Sequence, residues 1–294
     1  MPLNPQSGLL ASLIDYAGLF PPAALELPEA AANYARYRQS ARAAMLGRFV
    51  VPVAQLPALA RWIRQNEPHG TLWEVSVLVG KDVAGGFEKI TITLAEHVES
   101  PVVAVRSIEA VATTPEAMHV ALPPDAEAFF EIDHRVDPST WIRAAAAAGV
   151  AAKIRTGGVE QSAFPSAGEI ARFILACARH RLPFKATAGL HHPFPAAYPL
   201  TYEADSPLGT MHGFMNVFYA AAMAWRGSTD SDALCSILES TERPGWDEAR
   251  QELNWTDHRL SMADLAECRE NFARSYGSCS FLEPIEGLEE VGLL

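Results

Sequence analysis

Apolar, strand-like runs alternate with helical patterns about eight times along 294 residues. This predicts an α/β chain, a (β/α)8 TIM-type barrel with a helical insertion before the last strand. Two further observations support it. Residues 149–189 read as one βαβ unit: apolar run, Lys153, glycine, helix, apolar run, Lys185, glycine. The composition, 49% hydrophobic and 20% charged, supplies apolar mass for one large core. A single barrel domain over residues 1–294 is expected, with the insertion at 193–275.

The elements follow in order. Residues 9–19 hold an apolar run interrupted by Asp15 and stopped by Pro21 and Pro22. Pro28 opens a helix to about residue 40. Phe49, Val50 and Val51 form the next strand, stopped by Pro52. A helix at 56–65 and a strand at 72–80 follow. Residues 87–98 are read as a helix, although Ile90, Thr91, Ile92 and Thr93 favour strand. Strands at Val102–Val105 and at 128–133 precede a helix at 138–148. In the lysine unit, Ile170, Phe173, Ile174 and Cys177 recur at helical spacing between the two strands. Beyond Met211 the pattern turns helical. Phe214, Val217, Phe218, Ala221, Ala222 and Trp225 mark a strong helix, read as packing rather than a binding box. Helices at 232–239 and 261–274, a short strand near 278–282 and a helical tail complete the chain.

Net charge is −12 at pH 7, which gives no electrostatic support to nucleic-acid binding. An acidic surface still admits an anionic substrate at a locally positive site. Residues 1–6 lack a basic region followed by an apolar stretch, so no signal peptide is expected. No apolar run reaches membrane-spanning length. Cys177, Cys235, Cys268 and Cys279 are scattered, which points to reduced thiols in a cytoplasmic protein. The expected partner is a small-molecule substrate, with no cofactor, no nucleic acid and no membrane; a homo-oligomer is left open.

The two lysines carry the chemistry. In a βαβ unit both strands run parallel, so Lys153 and Lys185 stand at the same end of the sheet. Two nearby ammonium groups disfavour each other's charge, and a lysine is a nucleophile only when neutral. The bland alternative is that both merely extend to water. Arg155 is suited to clamp a carboxylate or phosphate, or to pair structurally with an acid.

These residues together resemble the deoxyribose-phosphate aldolase family of class I aldolases, which are (β/α)8 barrels. Lys153, Thr156 and Gly157 resemble its Lys-x-x-Thr-Gly setting on the sixth strand. Lys185 with Ala188 and Gly189 resembles its second lysine on the seventh. Asp15 resembles its first-strand aspartate, Phe49 to Pro52 its second strand, and residues 276–280 its phosphate-holding eighth strand. The family's fourth-strand aspartate has no clear match; Arg106 and Glu109 occupy that neighbourhood. Ala188 replaces a family glycine, His191 and His192 are added, and the insertion is longer than the family's.

The expected function is a Schiff-base-forming, aldolase-like lyase acting on a small carbonyl metabolite, phosphorylated or carboxylated. Lys153 forms the imine and Lys185 depresses its pKa. Asp15 or Glu131 relays protons, with Asp133 the weaker candidate. Substrate or anion contacts are expected from Arg155, Thr156, Gly157, Thr187, Gly189, His191, His212, Asn216, Gly277, Ser278 and Ser280. His212 and Asn216, one helical turn apart, are expected at the barrel mouth. Two alternatives remain. One is a metal-assisted lyase or hydrolase using His191, His192 and His212 with Glu131 or Asp133. The other is a barrel without chemistry that only binds a ligand, which the missing fourth-strand acid favours.

Overall fold

The computed structural model describes residues 3, 4, 8–96, 98–120, 122 and 125–294. Most of the stretch 1–6, on which the signal-peptide expectation rested, lies outside these, as does His97 in the third expected helix.

Seven parallel strands open the barrel: β1 (Ile14–Tyr16), β2 (Leu46–Pro52), β3 (Trp73–Gly80), β4 (Val103–Val111), β5 (Glu127–Ile132), β6 (Ala151–Arg155) and β7 (Phe184–Thr187). Helices α1 (Leu27–Tyr37), α2 (Leu56–Asn66), α3 (Val83–Ala95), α4 (Ser139–Ala148) and α5 (Ala167–Arg179) separate them, except that only a 3-10 turn (Pro115–Met118) joins β4 to β5. Then come β8 (Ala196–Pro199) and β9 (Leu208–Met211), an antiparallel pair, and helices α6 (Phe214–Trp225) and α7 (Ser231–Glu239). A three-stranded antiparallel sheet, β10 (Gly245–Asp247), β11 (Glu252–Trp255) and β12 (His258–Ser261), leads into α8 (Met262–Asn271). β13 (Ala273–Ser278) closes the barrel between β7 and β1, and α9 (Leu282–Glu290) follows. The (β/α)8 expectation is met by the strand order β1-β13-β7-β6-β5-β4-β3-β2.

Local chemistry explains the elements. α5 starts on a capping box in which Ser166 and Glu169 satisfy each other's backbone N–H groups. α3 is helical despite its β-branched run. The Asp82 side chain caps it by accepting from the Gly85 N–H, and the Thr91 and Thr93 hydroxyls donate back to the Phe87 and Lys89 carbonyls. α6 is buried along its whole length, which fits its all-round apolar sequence.

Two expectations are corrected. The insertion is not all helix, because two small antiparallel sheets interrupt it. The last barrel strand begins at Ala273 rather than near Ser278, and α8 ends at Asn271 instead of reaching residue 274. On β13 the alternation puts Ser275 and Gly277 inside the barrel and Tyr276 outside against Phe214 and Phe218. Small interior residues hide that period from an apolar pattern.

The turns after β6 and β7 touch through glycine. Ala188 and Gly189 are both left-handed, at φ 62° and 73°. A Cβ at Gly189 would meet Gly157 Cα at 2.7 Å. Gly189→Ala is therefore expected to lower stability by about 1–3 kcal/mol, read as a shifted urea midpoint. An unchanged midpoint would show that the turn relaxes freely.

Candidate active site

Strand register assembles the site. Glu131 pairs with Lys153 across β5 and β6, and Lys153 pairs with Lys185 across β6 and β7. The three side chains form one row inside the barrel. Glu109 on β4 and Asp15 on β1 complete it. Lys185 Nζ lies 2.7 Å from Asp15 Oδ2 and 2.6 Å from Glu109 Oε1. Lys153 Nζ lies 2.9 Å from Glu109 Oε2 and 3.0 Å from Glu131 Oε2. Arg155 Nε donates to Glu131 Oε1 at 3.1 Å. Three carboxylates and three cations thus alternate in a single ladder. Its members are held in turn: Ser76 donates to Glu109 at 2.7 Å, Ser107 to Ser76 at 2.6 Å, and Ser275 and the Arg48 N–H to Asp15 at 2.7 and 2.8 Å.

Electrostatics follow from this pairing. Burial pushes the Glu109 carboxyl up, but the Lys185 and Lys153 ammonium groups outweigh it and hold it well below the usual carboxylate range. Burial also acts upward on Glu131, and Lys153 and Arg155 again outweigh it. Lys185, fully buried, is pushed down by desolvation and further up by Asp15 and Glu109. The expected lysine–lysine repulsion is therefore replaced by a shared anion. Glu109 sits between the two ammonium groups, and Lys185 is held as a cation.

The ladder has an open end. A cavity of about 890 Å³ at the C-terminal mouth is lined by Glu109, Glu131, Lys153 and Arg155. Lys185 and Asp15 are not on its wall. Asp15, expected as a proton relay, instead faces a second cavity, about 670 Å³, at the N-terminal end of the strands. Lys153 is the amine a ligand can reach. Much of the remaining wall is apolar, including Phe20, Val50, Leu78 and Met211, and the β8–β9 segment adds Tyr198 and Tyr202.

Of the other expected contacts, Thr187, Gly189, His191 and Gly277 line this cavity. The rest do not. Thr156 lies one residue out of phase with Lys153 and donates to the Ala188 carbonyl at 2.6 Å. Gly157 packs on the Gly189 turn. Ser278 pairs with Tyr16 in the ladder between β13 and β1, and the Ser280 hydroxyl accepts the Glu283 N–H at the start of α9. His212 Nε2 is 2.6 Å from the Pro165 carbonyl. Asn216 donates to the Ile237 and Ser240 carbonyls, tying α6 to the end of α7. Asp133 is clamped by Arg135 outside the cavity.

The histidines of the metal alternative diverge. His191 Nδ1 faces Glu283 at 2.6 Å, His192 stacks on Tyr198, and His212 faces the Pro165 carbonyl. Among the described residues no three His, Cys, Asp or Glu side chains converge as a metal-holding group.

The residue missed from the sequence is Glu109. It supplies the fourth-strand acid that had no clear match. Ser76, Ser107 and Glu109 were the available signal: polar residues at inward positions of apolar strands.

Fold and site define a closed parallel barrel with a buried lysine–carboxylate ladder opening into an apolar cavity. No family model matches the chain, and no curated protein matches it. Among solved structures, the Bacillus cereus spore cortex-lytic enzyme SleL is similar at a TM-score of 0.39 and 12% identity, over 95% of this chain and 74% of that one. No helix among the described residues is long and apolar enough to cross a membrane.

Proposed function

We propose that this protein is a Schiff-base-forming, aldolase-like lyase acting on a small carbonyl compound. The observation that carries this is Lys153: a lysine buried to 3% exposure, on the cavity wall, between two carboxylates. Its resemblance to deoxyribose-phosphate aldolases in the Lys153 and Lys185 settings supports the same reading.

Glu131, 3.0 Å from Nζ and steadied by Arg155, takes the Lys153 proton. The free amine adds to the carbonyl carbon, and the oxygen leaves as water with the proton that Glu131 returns. The protonated imine then draws the Cα–Cβ electron pair into an enamine, as the β-hydroxyl gives its proton to a carboxylate and that fragment departs as an aldehyde. Glu109 and Glu131 offset the positive charge of the protonated imine. Lys185 acts by holding Glu109 in place and ionised.

The wall favours a substrate with an apolar body over a phosphate ester. The nearby cations Lys153 and Arg155 are already paired, and the start of α9, where an anion would be favoured, carries the Glu283 carboxylate. The acid Glu109 on the fourth strand supports this reading over a barrel that only binds.

The test is borohydride trapping with a panel of small aldehydes and ketones, followed by peptide mass analysis. A reduced adduct on Lys153, absent in Lys153→Met, is expected. No adduct on Lys153 with any member of the panel would sink the imine reading.

A further inference from the structure

A second cluster lines the same cavity, and the imine chemistry makes no use of it. Cys279 follows β13 and precedes α9 by two residues. His191 comes from the segment after β7, and Glu283 from the first turn of α9. Glu283 Oε2 lies 2.6 Å from His191 Nδ1, and His191 Nε2 lies 4.0 Å from Cys279 Sγ. The Tyr202 hydroxyl lies 3.7 Å from the same sulfur. All four residues line the cavity. His191 outweighs the burial of Glu283 and holds its carboxyl low, so that carboxylate is an acceptor only. It therefore fixes the proton on Nδ1 and turns Nε2 toward sulfur. This is the arrangement of nucleophile, base and orienting acid.

We infer that Cys279 is a second nucleophile of this cavity, served by His191 and Glu283, and that the subsite takes an aldehyde. The sulfur adds to the carbonyl carbon as the C–S bond forms. The C=O π pair moves to oxygen, which takes the Nε2 proton of His191. The product is a thiohemiacetal, formed reversibly and without oxidant or co-reactant. The inference does not rest on Lys153 forming an imine.

Burial and direct contact set the charges around the pair. Burial pulls His191 down, but its contacts with Cys279 and Glu283 lift it to about 10, so it is a cation at neutral pH. The other titratable groups facing the pair are neutral there. Burial raises Tyr16 to about 12, and burial with Cys279 raises Tyr202. Burial and the charge on His191 lower His192 to about 4. The remaining cysteines differ. Burial pushes the thiols of Cys177, Cys235 and Cys268 up, and none of them lines the cavity.

Iodoacetamide labelling of the whole chain, mapped cysteine by cysteine, tests the nucleophile. At pH 6, Cys279 is expected to label at least about tenfold faster than Cys235, because His191 stands beside it as a base. In His191→Gln that advantage should be lost, while Cys235 labels as before. A wild-type Cys279 rate no faster than that of Cys235, or one that His191→Gln leaves unchanged, overturns the proposal. Butanal tests the ligand class, and is expected to protect Cys279 in Lys153→Met, reversibly on dialysis. Labelling of Cys279 that butanal leaves unprotected in Lys153→Met removes the aldehyde subsite. The imine reading fails separately, by the absence of borohydride trapping on Lys153.

Discussion

Glu109→Gln is expected to destabilise the protein by roughly 3–5 kcal/mol at neutral pH, the scale seen when one partner of a buried ion pair is removed. The substitution keeps shape and volume and deletes only the charge. Glu109 serves both lysines, which are 3% and 0% exposed, so its loss leaves two ammonium groups without their common anion. One must then give up its proton or both must repel. Urea unfolding at pH 7 measures the effect, and a loss under about 1 kcal/mol would show that the ladder is not coupled. The pH dependence has a definite sign. Glu109 is held below its unfolded value, so its contribution is complete above the ordinary carboxylate range and is lost as pH falls toward the folded value. The penalty of the substitution should therefore shrink below about pH 4, where unfolded carboxyls take up protons. Lys185 works in the other direction. Its folded value is raised, so its contribution is present below the unfolded lysine range and is lost as pH rises through the folded one.

The second large effect falls on turnover. With a substrate identified by trapping, Lys153→Met should lower C–C bond cleavage by about 10⁴-fold or more, as loss of a covalent nucleophile does. Glu131→Gln should cost about 10²–10⁴-fold, the range for a general base, while still giving a slow Lys153 adduct. Because Lys153 and Arg155 outweigh burial at Glu131, its carboxylate persists to lower pH than usual. The rate in the wild type should therefore not show the loss of this base until the pH falls below the ordinary carboxylate range. Equal rates for wild type and Lys153→Met would remove the amine from the mechanism.

The barrel was legible because its strands are short apolar runs between helical patterns, and that alternation survives without any knowledge of contacts. Lys153, Lys185, Asp15 and Glu131 were legible because each interrupts or ends such a run. Glu109 was not, because the strand was read only to Val105 and the inward parity of Ser107 and Glu109 was not followed to its end. Strand parity also decides against Thr156, whose side chain lies out of phase with the lysine before it. The His191–Glu283 contact joins residues 92 positions apart through a loop and a helix start, and nothing local announces it. His212 and Asn216 have the spacing of a binding face, but their partners are backbone carbonyls of other segments.

Closure of the barrel between its first and last strands has a consequence for folding. Ser275 and Asp15, bonded to each other, are 260 positions apart, and Asp15 meets Lys185 only after most of the chain exists. The segment up to β6 carries Asp15, Glu109 and Glu131 but only Lys153 and Arg155 of their cation partners, and Lys185 on β7 supplies the third. The ladder's charges therefore balance only in a chain that includes β7, and the ring of strands closes only when β13 joins β1, a contact order that makes closure a late, long-range event.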